Sequence, residues 1–221
     1  VHGGGRHATA LAKQLGISPK MVNGRRITDA AMLEVAVMSY AGLSNKKIVA
    51  QLQKQGVNAV GLTGADGNCI EAVKRPVTDI DYGFAGDITQ INTEVFAALT
   101  SQDFVPVLCA ITHDKNGQLL NTNADTIAAQ IAMAMQVEYD VTLFYCFEHA
   151  GVLKDIHKHE DVIAELSKET TETYIAEGVI HQGMVPKLHN GFDALQNGVK
   201  KVIISNVAAL SNINAPKTTL I

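Results

Sequence analysis

The sequence predicts an α/β protein, a largely parallel sheet covered by helices on both faces. Short apolar runs at residues 58–62, 105–111, 141–145 and 199–205 alternate with amphipathic stretches, the pattern of successive βαβ units. Polar segments rich in Gly or Asn stand at the ends of several runs, where open α/β sheets bind ligands. With 221 residues, 47% of them hydrophobic, the chain can bury a sizeable core as one domain or two closely packed lobes.

Each element has its own signal. Val1-His2-Gly3-Gly4-Gly5 reads as the end of a buried strand running into a glycine turn. Residues 6–15 are helix-like, and Met21-Val22-Asn23-Gly24-Arg25-Arg26 predicts a hairpin around Asn-Gly. Thr28 or Asp29 would cap a long helix through Met32, Val35, Met38 and Tyr40, and Ser44 would cap another reaching about residue 54. The strand at 58–62 enters a second glycine-rich turn, Thr63-Gly64-Ala65-Asp66-Gly67-Asn68. Residues 69–91 read as small antiparallel strands standing off the main sheet. There follow a helix at 94–101, a strand at 105–111, a polar loop, a helix at 124–135, a strand at 141–145, two or three helices, and a strand at 199–205.

Composition narrows the function classes. With 18% charged residues and no long apolar run, the chain reads as soluble, with no membrane segment. A net charge of −4 without a Lys/Arg-rich run argues against nucleic acid as a partner. Cys69, Cys109 and Cys146 are scattered and lack zinc or redox spacing, which fits reduced thiols and a cytoplasmic location. The eight histidines form no H-E-x-x-H pair, and no G-x-S-x-G, P-loop or G-x-G-x-x-G occurs. These absences remove the usual hydrolase, Walker-type ATPase and dinucleotide readings, and no protein-held metal is expected.

Four loops carry chemistry. The glycines after His2 bare backbone N–H groups for an anion at a helix N-terminus, or make an ordinary tight turn. Arg26, beside the hairpin, has the fork that grips a carboxylate bidentately, or is solvated. Asn121, Asn123 and Asp125 alternate where a polar loop opens an apolar helix, which is more than a helix cap needs. An EF-hand reading of Asp114, Asn116 and Asn121 fails for lack of its glycine and its closing Glu. We therefore assign Asn121 and Asp125 a ligand-organising role. Gly183-Met184-Val185-Pro186-Lys187 puts a lysine in a first helical turn, disfavoured by about 0.3–1 kcal/mol unless an anion such as phosphate shares the site.

Taken together, these segments resemble one family, the amino-acid kinases, and within it the branch acting on N-acylglutamates. The resemblance runs over essentially the whole chain. It includes Val1-His2-Gly3-Gly4-Gly5, Asn23-Gly24-Arg25-Arg26-Ile27-Thr28-Asp29, Val60-Gly61-Leu62-Thr63-Gly64-Ala65-Asp66-Gly67, Gly83-Phe84-Ala85-Gly86-Asp87-Ile88, Asn121-Thr122-Asn123-Ala124-Asp125 and Gly183-Met184-Val185-Pro186-Lys187. It implies an open αβα three-layer sandwich with a mainly parallel, continuous central sheet. Residues 1–136 would bind the acylglutamate and dimerise, and residues 137–221 would bind ATP. Also implied are a homodimer, arginine biosynthesis, and ATP with Mg²⁺ carried by the nucleotide. By motif, Gly3, Gly4, Arg26 and Asn121 match positions that hold the acylglutamate, N-acetyl or the larger N-succinyl. Asp125 matches the residue that organises the active site, and Lys187 the lysine that stabilises the transferring phosphoryl group. The nucleotide would lie along Glu148, His149, Ala150, Gly151, Val152 and Leu153 and near Val179, Ile180 and His181.

Two departures stand out. The family has a strand ahead of the glycine turn bearing Lys-x-Gly-Gly, whose lysine is a second transition-state stabiliser. That strand is not in this sequence, so we expect residues to precede Val1 in the working protein. On the nucleotide side the family reads Thr/Ser-Asp-x-x-Gly-Val-Leu, where this chain has Phe147-Glu148-His149-Ala150-Gly151-Val152-Leu153. At this level two alternatives stay open: a non-catalytic, ligand-binding or regulatory member, or a kinase of another substrate, namely aspartate, carbamate or UMP.

Overall fold

Alternating apolar runs and helices fold into two units, Val1–Ile127 and Ala128–Ile221. The computed structural model describes every residue except Asn23, Ile156, His159, His181, Gln182 and Ile213. The sequence places a break between residues 136 and 137; packing divides the chain earlier, within the helix that follows Asn121.

In the first unit, α1 (Gly5–Gln14) leads to a hairpin of β1 (Lys20–Val22) and β2 (Arg25–Ile27), antiparallel with Met21 opposite Arg26. Asn23 of its predicted turn lies outside the described residues. Next, α2 (Ala30–Val37) is capped by Asp29, whose Oδ1 accepts from Met32 N at 2.8 Å. The helix then widens into a π-helical segment, Met38–Ser44, and continues as α3 (Asn45–Lys54). Ser44 is thus not a cap. Its backbone is helical, and its hydroxyl pairs with His7 Nδ1 at 3.2 Å instead. Met32, Val35, Ala36 and Tyr40 form the buried stripe of this helical run.

Chain order continues with β3 (Ala59–Leu62), a 3₁₀ turn (Asp66–Asn68), β4 (Ile70–Lys74), β5 (Gly86–Ile91), α4 (Thr93–Ser101), β6 (Val105–Leu108), β7 (Ile111–His113), β8 (Leu119–Asn121) and α5 (Ala124–Met135). β3 and β6 pair in parallel from Ala59↔Val105 to Leu62↔Leu108. The opening residues pair against β6 too: His2 bridges Cys109 in parallel and its N–H donates to Leu108 O at 2.8 Å. The predicted strand at 105–111 is in fact shared between two sheets. Cys109 N still donates to Leu62 O, but Ala110 O accepts from Thr122 N, and β7 joins the order β5-β4-β7-β8. There β4 and β5 are antiparallel, with a register shift between Glu71 and Ala72. Ile70, Ile111 and Leu120 in these strands are fully buried, each worth roughly 1.5–3 kcal/mol relative to exposure.

The second unit contains β9 (Thr142–Cys146), β10 (Glu165–Leu166), α6 (Lys168–Ala176), α7 (Val185–Gln196), β11 (Lys201–Ser205), α8 (Ala208–Ser211) and β12 (Thr218–Leu220). Its sheet runs β10-β12-β11-β9, with β9–β11 and β10–β12 parallel and β11–β12 antiparallel. Leu143, Leu166, Leu188, Phe192, Val202, Ile204 and Leu220 fill its core. Among the described residues no helix is long and apolar enough to cross a membrane.

Candidate active site

The second unit holds a cleft of about 320 Å³, and its lining is largely one predicted set. Glu148, His149, Gly151, Val152 and Leu153 come from the loop after β9, and Val179 and Ile180 from the turn after α6. Gly183, Met184 and Lys187 come from the start of α7, and Phe147 completes the wall. Ala150 stands within the same loop but not on the lining, and His181 lies outside the described residues.

Helix geometry explains how Lys187 reaches this cleft. α7 starts at Val185 with Pro in its first positions, so Lys187 occupies the first turn. Helical side chains tilt toward the N-terminus, which carries Lys187 back over Gly183 and Met184. Leu188, Gly191, Phe192 and Ala194 form the buried side of α7 and fix its rotation. The Lys187 ammonium stands 6.0 Å from the centroid of the buried Tyr145 ring. Beside it, Phe147 and His149 meet edge to face with centroids 5.6 Å apart.

Two buried hydroxyls from outside the loop set its path. Thr218 Oγ1, at the start of β12, accepts from Val152 N at 2.8 Å and donates to Ile163 O at 2.6 Å. Ser205 Oγ, at the end of β11, lies 3.1 Å from Ala150 O and 2.8 Å from Pro216 O, and Ser205 O accepts from Phe147 N. Both residues are fully buried. Sequence reading missed them, since a Ser ending one strand and a Thr opening another carry no local signal of what they touch.

The first unit gathers the predicted acylglutamate residues differently. Gly4 packs against Tyr40, and a Cβ there would meet Tyr40 Cδ1 at 2.5 Å, so glycine is needed for this close approach. Arg26 donates from Nη2 to Gly5 O at 3.1 Å and to Thr9 Oγ1 at 2.9 Å, tying the hairpin to the first turn of α1. Its Nη1 is buried with no hydrogen-bond partner among the described residues. Asn121 ends β8: its N–H donates to Phe84 O at 2.9 Å and its Nδ2 to Thr28 Oγ1 at 3.0 Å. Residues 83–85 thread between Thr28 and Asn121 through isolated bridges. The three alternating polar residues have separate places. Asn121 closes a strand, Asn123 Oδ1 caps α5 by accepting from Thr126 N at 2.9 Å, and Asp125 sits in the first turn of α5. Gly3 lies near α5 as well, with an added Cβ 3.8 Å from Ala124 Cβ.

Burial shapes the titrating groups here. It raises the Tyr40 phenol above its ordinary value, and the nearby Arg26 guanidinium opposes that rise. Burial likewise pushes the Cys69 and Cys109 thiols up to about 11, so both stay protonated at neutral pH. Cys146, ending β9, is exposed. Among the described residues no group of three His, Cys, Asp or Glu side chains is placed to hold a metal.

The Amino acid kinase family profile matches residues 1–206. A relative from Phocaeicola vulgatus, named acetylglutamate kinase, is 55% identical over 211 residues, spanning 96% of this chain and 82% of the relative. One of the same name from Cytophaga hutchinsonii is 48% identical over 220 residues, 99% of this chain and 83% of the relative. The crystal structure of smu.665 from Streptococcus mutans matches with a TM-score of 0.84 at 26% identity, covering 99% of this chain and 84% of that one. With a family match reaching from the first residue through β11, this chain belongs to the amino acid kinase family.

Proposed function

We propose that this protein is an acetylglutamate kinase, moving the ATP γ-phosphoryl group to the side-chain carboxylate of N-acetyl-L-glutamate in arginine biosynthesis. The carrying observation is the 48–55% identity, over nearly the whole chain, to relatives of that name. The chemistry asks little of acid–base catalysis. The attacking carboxylate has an unperturbed pKa of about 4.3 and is already ionised at neutral pH. What opposes reaction is repulsion between that carboxylate and the triphosphate, so catalysis is positioning plus charge neutralisation.

The residues divide that work. Arg26, with its unpartnered Nη1, and the N–H groups of the Gly3-Gly4 turn would hold the acylglutamate, with Asn121 beside them. The cleft lined by Glu148, Gly151, Val152, Leu153, Val179 and Ile180 would take the nucleotide, and Lys187 on its wall would neutralise charge on the transferring phosphoryl group. Asp125 keeps the organising role the resemblance gives it. Mg²⁺ would arrive coordinated by the nucleotide phosphates. A homodimer and a cytoplasmic location complete the reading, on the strength of the resemblance. Hydroxylamine trapping with the full-length protein, ATP and N-acetylglutamate tests it. Hydroxamate dependent on both substrates is the expected result, and none with either the acetyl or the succinyl compound would overturn the proposal.

A further inference from the structure

One side-chain chain of hydrogen bonds in the first unit belongs to no ligand contact described above. Asn45, the first residue of α3, is only 1% exposed. Its Nδ2 donates to Val107 O at 2.8 Å and stands 3.1 Å from His2 Nε2. Its Oδ1 accepts from Lys46 Nζ at 3.1 Å. Gly61 of β3 leaves the room for this amide, since a Cβ there would collide with Asn45 Oδ1. At the other end, His2 Nδ1 lies 2.8 Å from Gly3 O.

These contacts permit one assignment of protons. Val107 O only accepts and the Lys46 ammonium only donates, so the Asn45 amide is fixed with Nδ2 toward Val107 and Oδ1 toward Lys46. Nδ2 therefore presents a hydrogen to His2 Nε2, which must be the bare, accepting nitrogen. The proton of neutral His2 is then on Nδ1, where it donates to Gly3 O. Burial, which lowers the His2 pKa, favours that neutral form.

We infer that His2 is a positioning residue for the acylglutamate site, its tautomer set by Asn45, acting through the Gly3–Gly4 peptide. That peptide is trans and planar, so pinning Gly3 C=O toward His2 aims Gly4 N–H to the opposite side. A glycine turn has no side chain to fix its own peptide planes. His2 supplies that order from outside the turn, so the N–H donor is set before the ligand arrives and less ordering entropy is spent on binding.

This inference rests on the proposed function, and two measurements keep the two apart. In His2→Asn the amide nitrogen takes the place of Nδ1 and can still donate to Gly3 O; His2→Leu cannot. For the full-length protein, His2→Leu should raise KM for N-acetylglutamate about tenfold, the loss of one well-aimed hydrogen bond, while kcat and KM for ATP stay near wild type. His2→Asn should restore most of the affinity. Unchanged KM in His2→Leu, or equal loss in both variants, would overturn the role. Side-chain ¹H–¹⁵N NMR reads the tautomer without any assay, even should a variant fail to fold: a protonated Nδ1 with a bare Nε2 is expected, and the reverse would overturn the inference. No hydroxamate from the wild type, with the tautomer as assigned, would count against the functional reading alone.

Discussion

The two units present their candidate ligand residues in contrasting ways. In the first, each predicted residue is already engaged: Arg26 with Gly5 and Thr9, Asn121 with Thr28 and Phe84, Gly4 against Tyr40. Arg26 Nη1 stays buried with no partner among the described residues. In the second, the residues line an open cleft, and their loop is held from behind by Ser205 and Thr218. A small, doubly charged acylglutamate suits the first arrangement, where few donors are aimed tightly. A nucleotide suits the second, where an apolar wall with a charged rim takes a larger, flatter ligand.

That contrast can be broken one residue at a time. Lys187→Ala should have the largest effect, lowering kcat by about a hundredfold or more with a smaller change in either KM, as expected for a charge contact that strengthens in the transition state. Steady-state kinetics check it, and a loss confined to KM would reassign Lys187 to ground-state binding. Arg26→Ala should raise KM for N-acetylglutamate about ten- to a hundredfold, the range for a hydrogen bond to a charged group, and leave KM for ATP alone. Thr218→Val keeps the shape but strands Val152 N, so KM for ATP should rise several-fold and stability fall by about 1–3 kcal/mol, with Thr218→Ser restoring both. An equal change in KM for N-acetylglutamate would blur the division between the units.

At neutral pH the smallest effect concerns the thiols. In the native protein at pH 8, Cys146 should react with a disulfide reagent while Cys69 and Cys109 wait for unfolding. Those two keep their protons to about 11 when folded but ionise around the ordinary 9.0 when unfolded. Their contribution to stability is therefore present below pH 9 and lost as pH climbs toward 11. Denaturant midpoints measured between pH 8 and 11 would show the decline, and a flat profile would contradict it.

What could be read from the sequence follows the range of the interactions. The Asp29 cap, the hairpin at residues 20–27 and the placement of Lys187 depend on neighbours a few positions away, and the spacing shows them. The joining of α2 to α3 does not: Ser44 looks like a cap, but its backbone is helical and its hydroxyl pairs with His7, 37 positions away. The splitting of residues 105–113 between two sheets depends on Thr122 claiming Ala110 O. Thr218 meets Val152 across 66 positions of sequence, and Asn45 meets His2 across 43. Contacts of that length leave no periodic trace, which is why the motifs that carry the family resemblance were legible and the residues that hold them were not.

The most direct test of the division of labour is chemical-shift mapping on the ¹⁵N-labelled full-length protein, titrated separately with N-acetylglutamate and with a non-hydrolysable ATP analogue. The account predicts that N-acetylglutamate moves the amide signals of Gly3, Gly4, Arg26 and Asn121. The nucleotide should move those of Glu148, Gly151, Val152, Leu153 and Val179. Overlapping footprints, or a nucleotide footprint confined to the first unit, would contradict it.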